Sequence, residues 1–526
     1  MESTTETRRA FLLGFDGVPW YLLERWINED ELPNFAKLYD EGAAGPLQST
    51  TPDVTALAWP SISTGVWPDK HGVYAFQRLS DEYTHRVNTR RDIEQPELWD
   101  MVSPSVVGNV PMTYPADDID GTMVTGMMTP NLNERFTHPP SLREEILEQL
   151  PDYQIGLTWS EYADRQDEFL DDISSLLAGR RRLMHMLMEQ EWRLFYFVFT
   201  APDRIQHLLW NDEILLDHYK QLDDILGDVL SAVEDANSNL FVVSDHGFGP
   251  VSKVVSVNRV LEEEGYLTRQ TDNATRGVLT DLGITKDSVL SRLKTVGIDQ
   301  ETLVNRLPEQ VVSRVAERVP GDHVLFDVDF PQTVAFVHGS GCCYINTTDR
   351  FAEGIVEPAD VPELTEELAA VFRNVTDPET GERALRVYEG DELFETDDRA
   401  PDLIVRGQNG YEKSVSLTDE VFNGSGATKA SHRPEGVFLA WGPDVRQTSV
   451  SADSTVVDVA PTVLHSMNES IPSNVDGSVL DIFRPDSDPA RRDVEFREYG
   501  EKKTDDDAHE DFDEVEERLR GLGYMD

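Results

Sequence analysis

Short apolar runs rich in β-branched and aromatic residues recur along the chain, at 10–15, 122–125, 194–199, 240–243, 402–405 and 437–441. Between several of them the apolar positions fall at helical spacing, as in 142–150 and 217–233. Runs apolar on both faces that alternate with amphipathic helices predict an α/β fold, its mainly parallel sheet covered by helices on both faces. Ligands of such sheets bind beyond the carboxyl ends of the strands, so the residues that follow each run are where chemistry is expected.

The pattern changes at 258–330, where the apolar spacing at 261–265, 290–293 and 311–319 is helical and no strand-like run intervenes. This predicts a mostly helical insertion or cap that divides the core into a first part, 1–257, and a second part, 331–490. The remaining residues, 491–526, read as an acidic tail: the run Asp505-Asp-Asp507 gives way to a short helical pattern at 514–520 that ends at Gly521. No internal repeat, Pro-rich linker or heptad array is present.

Composition narrows the class. A chain of 526 residues exceeds the size at which one core stops growing, so one large domain with an insertion, or two domains, is expected. A hydrophobic share of 39%, with 22 Phe, 15 Tyr and 9 Trp, excludes a disordered chain. Charge is the unusual quantity: 99 Asp and Glu face 46 Lys and Arg, a net −53 spread over the whole length, and only 10 of the basic residues are Lys. Such a surface repels itself unless salt screens it, and the Debye length falls to ~3 Å near 1 M, so a salt-rich cytoplasm is the expected setting. Binding of a nucleic acid polymer through a basic face is disfavoured, and the acid is too evenly spread to mark a docking patch for a basic partner. Only about six apolar residues precede Asp16, too few for a signal-peptide core or a spanning helix, so no membrane anchor is expected and the location is read as cytoplasmic. The two cysteines, Cys342 and Cys343, are adjacent and read as small apolar strand residues.

The candidate chemistry lies where the runs end. Phe11-Leu-Leu-Gly-Phe-Asp16-Gly17 places a carboxylate at a strand's carboxyl end, although Asp opening a turn before Gly has the same pattern. Thr55 stands where a helix starts, and free backbone N–H groups there favour a phosphate or oxyanion. A hydroxyl in that position becomes a nucleophile if a metal lowers its pKa, and is otherwise an ordinary N-cap. His71 before Gly72 reads as structural. After the run at 194–199, Pro202 suits a first helical turn, and Asp203 and His207 then project from one helical face at i, i+4, within reach of one metal. Asp245-His246-Gly247 again ends an apolar run, and His432 precedes another. Each element alone is weak, but acids and histidines at the ends of several strands converge on one edge of the sheet. The mixture suits zinc, or manganese where carboxylates dominate.

Together, Phe15-Asp16-Gly17, Thr55 with Thr64-Gly65 and His71-Gly72, Asp203 with His207, Ser244-Asp245-His246-Gly247, and His432 resemble the alkaline phosphatase superfamily. Within it they resemble the type I phosphodiesterase and nucleotide pyrophosphatase-like branch, in a haloarchaeal-type acidic version. Thr113-Tyr114-Pro115, Gly126 with Pro130, Tyr344-Ile-Asn346, Ala400-Pro-Asp402, Asp458-Val-Ala-Pro461-Thr462 with Pro472 and Asp476-Gly477, and Arg518-Leu-Arg-Gly521-Leu-Gly523-Tyr524 extend the resemblance nearly end to end. It implies an alkaline phosphatase-like core and a phosphoric ester hydrolase acting on small-molecule phosphate mono- or diesters. It also implies two divalent metal ions, one held by Asp16, Thr55, Asp245 and His246, the other by Asp203, His207 and His432. One ion would activate Thr55 and the other would stabilise charge on the phosphoryl and leaving oxygens, through a covalent phospho-threonine that is then hydrolysed.

The sequence departs from neighbouring branches. Nucleotide pyrophosphatases commonly carry an Asn that holds a phosphoryl oxygen shortly after the nucleophile, where this chain has Ala56-Leu-Ala-Trp59. The same stretch lacks the modified Cys or Ser and the Pro and Arg signature of sulfatases. A phosphomutase resembling cofactor-independent phosphoglycerate mutase is an alternative, although its nucleophile is usually Ser. A catalytically silent binding protein on the same fold is another, opposed by retention of the nucleophile and every ligand position.

Overall fold

The computed structural model describes residues 8–270, 328–394 and 397–500, with residues 512, 515, 516 and 519 near the C-terminus. Every residue of the strands Ala10–Phe15, Leu194–Phe199 and Asn239–Val243 is buried, as runs apolar on both faces require. These strands form the centre of a nine-stranded sheet. Its order is Thr448–Ser449, Ala43–Gln48, Glu435–Trp441, Asn239–Val243, Ala10–Phe15, Leu194–Phe199, Ser105–Gly108, Gly121–Val124 and Thr137–His138. The pairings from Asn239–Val243 across to Gly121–Val124 are all parallel.

Side-chain alternation divides the apolar strands between two cores. Phe11, Leu13 and Phe15 pack with residues of the helices Trp20–Asn28, Gln166–Met188 and Asp212–Ala236 on one face. Ala10 and Leu12 pack with Trp59 and Ile62 of the helix Thr55–Thr64 and with Val459 and Val463 of Val459–Ser466 on the other. Helices therefore cover both faces. Register then sets the functional edge: Ala10 lies opposite both Leu194 and Asn239, so the three central strands end within one residue of one another, at Phe15, Phe199 and Val243. Asp16, the helix beginning at Ala201 and Asp245 consequently leave the sheet at one edge.

Two runs behave differently from the parallel pattern. Residues 402–405 belong to Leu403–Gly407, in a separate antiparallel sheet ordered Ala335–His338, Cys342–Ile345, Leu403–Gly407, Leu385–Glu389. The helix Val361–Arg373 contributes Leu368, Ala369 and Phe372 to the core beneath that sheet. Glu435–Trp441 does join the main sheet, but antiparallel to both its neighbours. A run buried on both faces carries no mark of strand direction or of which sheet it joins; chain connection decides both. Cys342 and Cys343 are buried, unpaired strand residues.

The helical pattern near 261 corresponds to the end of the helix Val257–Glu263. The patterns at 290–293 and 311–319, the acid run at 505–507 and the stop at Gly521 lie outside the described residues. Val515, Glu516 and Leu519 are helical, and Val515 and Leu519 are buried against the first core. Among the described residues no helix is long and apolar enough to cross a membrane.

Candidate active site

Thr55 is the first residue of its helix, after the extended Val54, and its side chain caps nothing. The ordinary N-cap role therefore does not apply. Its hydroxyl oxygen instead lies 3.5 Å from Asp16 Oδ1 and 3.3 Å from His246 Nε2. The N–H groups of Leu57 and Ala58 both donate to Val54 O, at 2.9 and 3.0 Å, while those of Thr55 and Ala56 meet no acceptor among the described residues. The helix thus offers two donors and its positive dipole end beside the hydroxyl.

Asp16, Asp245 and His246 form one buried group around Thr55: His246 Nε2 stands 3.2 Å from Asp245 Oδ2 and 3.6 Å from Asp16 Oδ1. Gly17 N–H donates to Asp245 Oδ1 at 3.1 Å, which ties the first strand's end to the turn after Asn239–Val243, and Asp245 Oδ2 accepts no hydrogen bond. Gly17 is required here: its φ is +77°, and a Cβ would meet the Phe248 ring at 3.0 Å and Asp203 Cα at 3.2 Å. Asp203, His207 and His432 form a second group. The helix Ala201–Leu208 carries the first two, with Asp203 Oδ1 3.5 Å from His207 Nε2, and His432 Nε2 reaches Asp203 Oδ1 at 3.1 Å. The two groups adjoin, since the His246 and His432 rings stack with centroids 3.7 Å apart.

Both groups fit a cation. Each histidine bonds a backbone carbonyl through Nδ1: His207 to Ala430 O at 3.2 Å, His246 to Gly247 O at 3.1 Å and His432 to Asp53 O at 2.8 Å. A carbonyl only accepts, so each Nδ1 carries a proton, and in its neutral form each imidazole turns its Nε2 lone pair inward. His207 and His432 then bring two Nε2 atoms within 3.2 Å, an arrangement that a proton or a metal ion between them relieves. Titration has the same sense. Burial, then Asp245 and Asp203, pushes the Asp16 carboxyl well up, and burial raises Asp245 to about 7. Burial works against charge on Asp203 too, but His207 and His432 outweigh it and hold that carboxyl well below its usual range. Burial, then the neighbouring His432, lowers His246. Crowded, desolvated carboxylates of this kind are relieved by positive charge. Asp16, Asp245, His246 and Thr55 could therefore hold one ion, and Asp203, His207 and His432 another.

All six expected ligand side chains and Thr55 meet at this edge, each at most 9% exposed. His71 does not join them; it is buried, pushed down to about 3 by that burial, and pairs with Ser61 Oγ at 3.1 Å. Three contributors escaped the sequence reading. Trp59 Nε1 donates to Asp16 Oδ2 at 3.3 Å, and its i+4 spacing from Thr55 was the available signal. Phe248 packs its ring among His207, His432 and His246, with centroids at 4.8, 5.1 and 5.9 Å. Asp53 supplies the carbonyl that orients His432, and nothing in the sequence marks it. A third carboxylate group, Glu97, Asp100 and Asp117, surrounds the buried Arg90, at 2.6, 3.5 and 2.8 Å, and so has its own cation.

Among solved structures, murine ectonucleotide pyrophosphatase / phosphodiesterase 5, as an inactive variant in complex with AMP, is similar at 14% identity and a TM-score of 0.50, with 91% of this chain and all of that chain covered. The human counterpart is similar at 13% identity and a TM-score of 0.49, over 90% of this chain and all of that one. A search of curated proteins returns no match. The profile of the type I phosphodiesterase / nucleotide pyrophosphatase family matches residues 10–432, a span that opens on the first central strand and closes on His432. The chain belongs to the type I phosphodiesterase / nucleotide pyrophosphatase family and is a phosphoric ester hydrolase.

Proposed function

We propose that the protein hydrolyses small-molecule phosphate mono- or diesters with Thr55 as nucleophile. The observation that carries this reading is the Thr55 hydroxyl at the open start of a helix, 3.5 and 3.3 Å from members of a buried Asp–Asp–His group, with a second Asp–His–His group stacked against it. Thr55 Oγ1 loses its proton and forms a bond to phosphorus as the bond to the leaving oxygen breaks, and the leaving group departs as the alcohol after taking up a proton. Water then cleaves the phospho-threonine to phosphate and the restored Thr55 hydroxyl. The Thr55 and Ala56 N–H groups donate to the phosphoryl oxygens, which carry negative charge throughout the transfer to Thr55. Asp16, Thr55, Asp245 and His246 would hold one divalent ion and Asp203, His207 and His432 the other, zinc or manganese by donor type. Bound there, the two ions supply positive charge to the nucleophile and leaving oxygens. The carbonyl contacts at each Nδ1 keep the three imidazoles in the tautomer this needs.

AMP bound to the murine structure adds support for a nucleotide among the substrates. The acidic surface fits a salt-rich cytoplasm, and 258–330 is read as an insertion or cap. A panel of p-nitrophenyl mono- and diesters, nucleotides and nucleotide pyrophosphates, run in molar KCl on zinc- and manganese-loaded protein, tests the reading. Metal-dependent release of p-nitrophenol or phosphate is expected; binding of metal without turnover of any member would instead favour the silent binding protein.

A further inference from the structure

His432 stands on a ribbon of only two strands, Gly247–Pro250 with Ala430–Arg433, outside the nine-stranded sheet. Pairing with Phe248 fixes its backbone, but its ring is aimed by the 2.8 Å bond from Nδ1 to Asp53 O. Asp53 itself belongs to no helix or strand. It lies between the strand Ala43–Gln48 and the helix that begins at Thr55, two residues before the hydroxyl. Its carboxylate is paired with the guanidinium of Arg406, and both side chains are nearly buried, at 7% and 11% exposure. Arg406 comes from Leu403–Gly407, in the separate antiparallel sheet.

We infer that Arg406 is a positioning residue, by which the second sheet holds the Asp53 loop and, through the Asp53 carbonyl, the His432 ring over Asp203 and His207. One residue thereby serves two ends: the Asp53 carboxylate receives the tether, and the Asp53 carbonyl transmits it. The same loop leads directly into Thr55, so the tether also sets where the helix start lies relative to the second group. A planar guanidinium suits this role, because it fixes direction as well as charge. The inference rests on the metal reading above but concerns residues that touch neither the substrate nor the proposed ions.

The test is a calorimetric titration of metal-free, full-length protein with Zn²⁺ in high salt, alongside thermal melting of the same metal-free samples. Wild type is expected to bind two Zn²⁺. In Arg406→Ala one of the two should weaken by about 10- to 100-fold, the usual effect of losing an outer partner of a ligand. Arg406→Lys keeps the charge without the fork and should fall between. Since Arg406→Ala leaves a buried carboxylate unpaired, the double variant Asp53→Ala/Arg406→Met removes both partners and any hydrogen bond between them while keeping the backbone carbonyl at position 53; it should still bind one Zn²⁺ weakly, because the tether is gone. Two Zn²⁺ at wild-type affinity in that double variant would overturn the inference, leaving only a stabilising ion pair. Fewer than two Zn²⁺ on the wild type would refute the metal reading and this inference with it.

Discussion

Replacing Trp59 by Phe separates the support of one metal group from that of the other. The indole Nε1 donates to Asp16 Oδ2 at 3.3 Å, and both side chains are buried, so water cannot replace the lost donor. A hydrogen bond to an ionised group contributes about 1.5–3 kcal/mol, or roughly 10- to 100-fold in an equilibrium constant. The 3.3 Å length favours the lower half of that range. Burial, Asp245 and Asp203 already raise the Asp16 carboxyl, and Trp59 is among the groups that oppose them, so its loss makes the proton a stronger competitor for the site. Phe retains an aromatic ring beside Tyr196 but leaves part of the indole volume empty, at a stability cost of about 1–3 kcal/mol. Competition titrations with a zinc chelator should therefore show one Zn²⁺ weakened by roughly 10-fold and the other unchanged, with kcat/KM lowered in parallel. Equal weakening of both ions, or of neither, would refute the assignment of Asp16 to its own ion.

Asp100, pushed up to about 6 chiefly by burial, should carry a pH-dependent cost. Its folded value exceeds the unfolded one, so the stability it contributes is full below about pH 4 and is lost as pH rises through 6; because the residue is solvent-exposed, water screens most of this, and Asp100→Asn should shift stability between pH 5 and 8 by under about 1 kcal/mol in denaturant melts. Gly17→Ala forces a side chain onto φ +77° and against Phe248, and should cost about 1–3 kcal/mol in the same melts. With a net −53, thermal stability should rise from 0.1 M-range to molar KCl as the Debye length shrinks from ~10 to ~3 Å, and a melting temperature indifferent to salt would contradict the salt-rich setting.

Much of this site could be read in the chain because its parts follow buried strands. Residues 10–15 and 194–199 match their strands end to end, since a strand covered on both faces leaves an uninterrupted apolar run, and Asp16 sits one residue beyond. Asp203 and His207 were legible for a different reason, as helical spacing after Pro202 puts both on one face. Long-range pairs left no such trace. Arg406 and Asp53 are 353 residues apart, and their contact exists only because a second sheet packs beside the loop. The second sheet itself was hidden, because Leu403-Ile-Val405 is a short buried apolar run of the same kind as those of the main sheet. Gly14 illustrates the same limit: a Cβ there would collide with the Trp59 ring, yet alone it reads as one more glycine in a strand.

The central claim is that Thr55 is phosphorylated during turnover. Metal-loaded protein mixed with a good ester substrate in high salt, quenched in acid on the millisecond scale and digested for mass spectrometry, measures it directly. The account predicts a phosphoryl group on the peptide carrying Thr55, formed and lost at rates compatible with kcat, and predicts that Thr55→Ala retains its fold but neither the adduct nor turnover. A Thr55→Ala protein that hydrolyses the ester with near-wild-type kcat would contradict it.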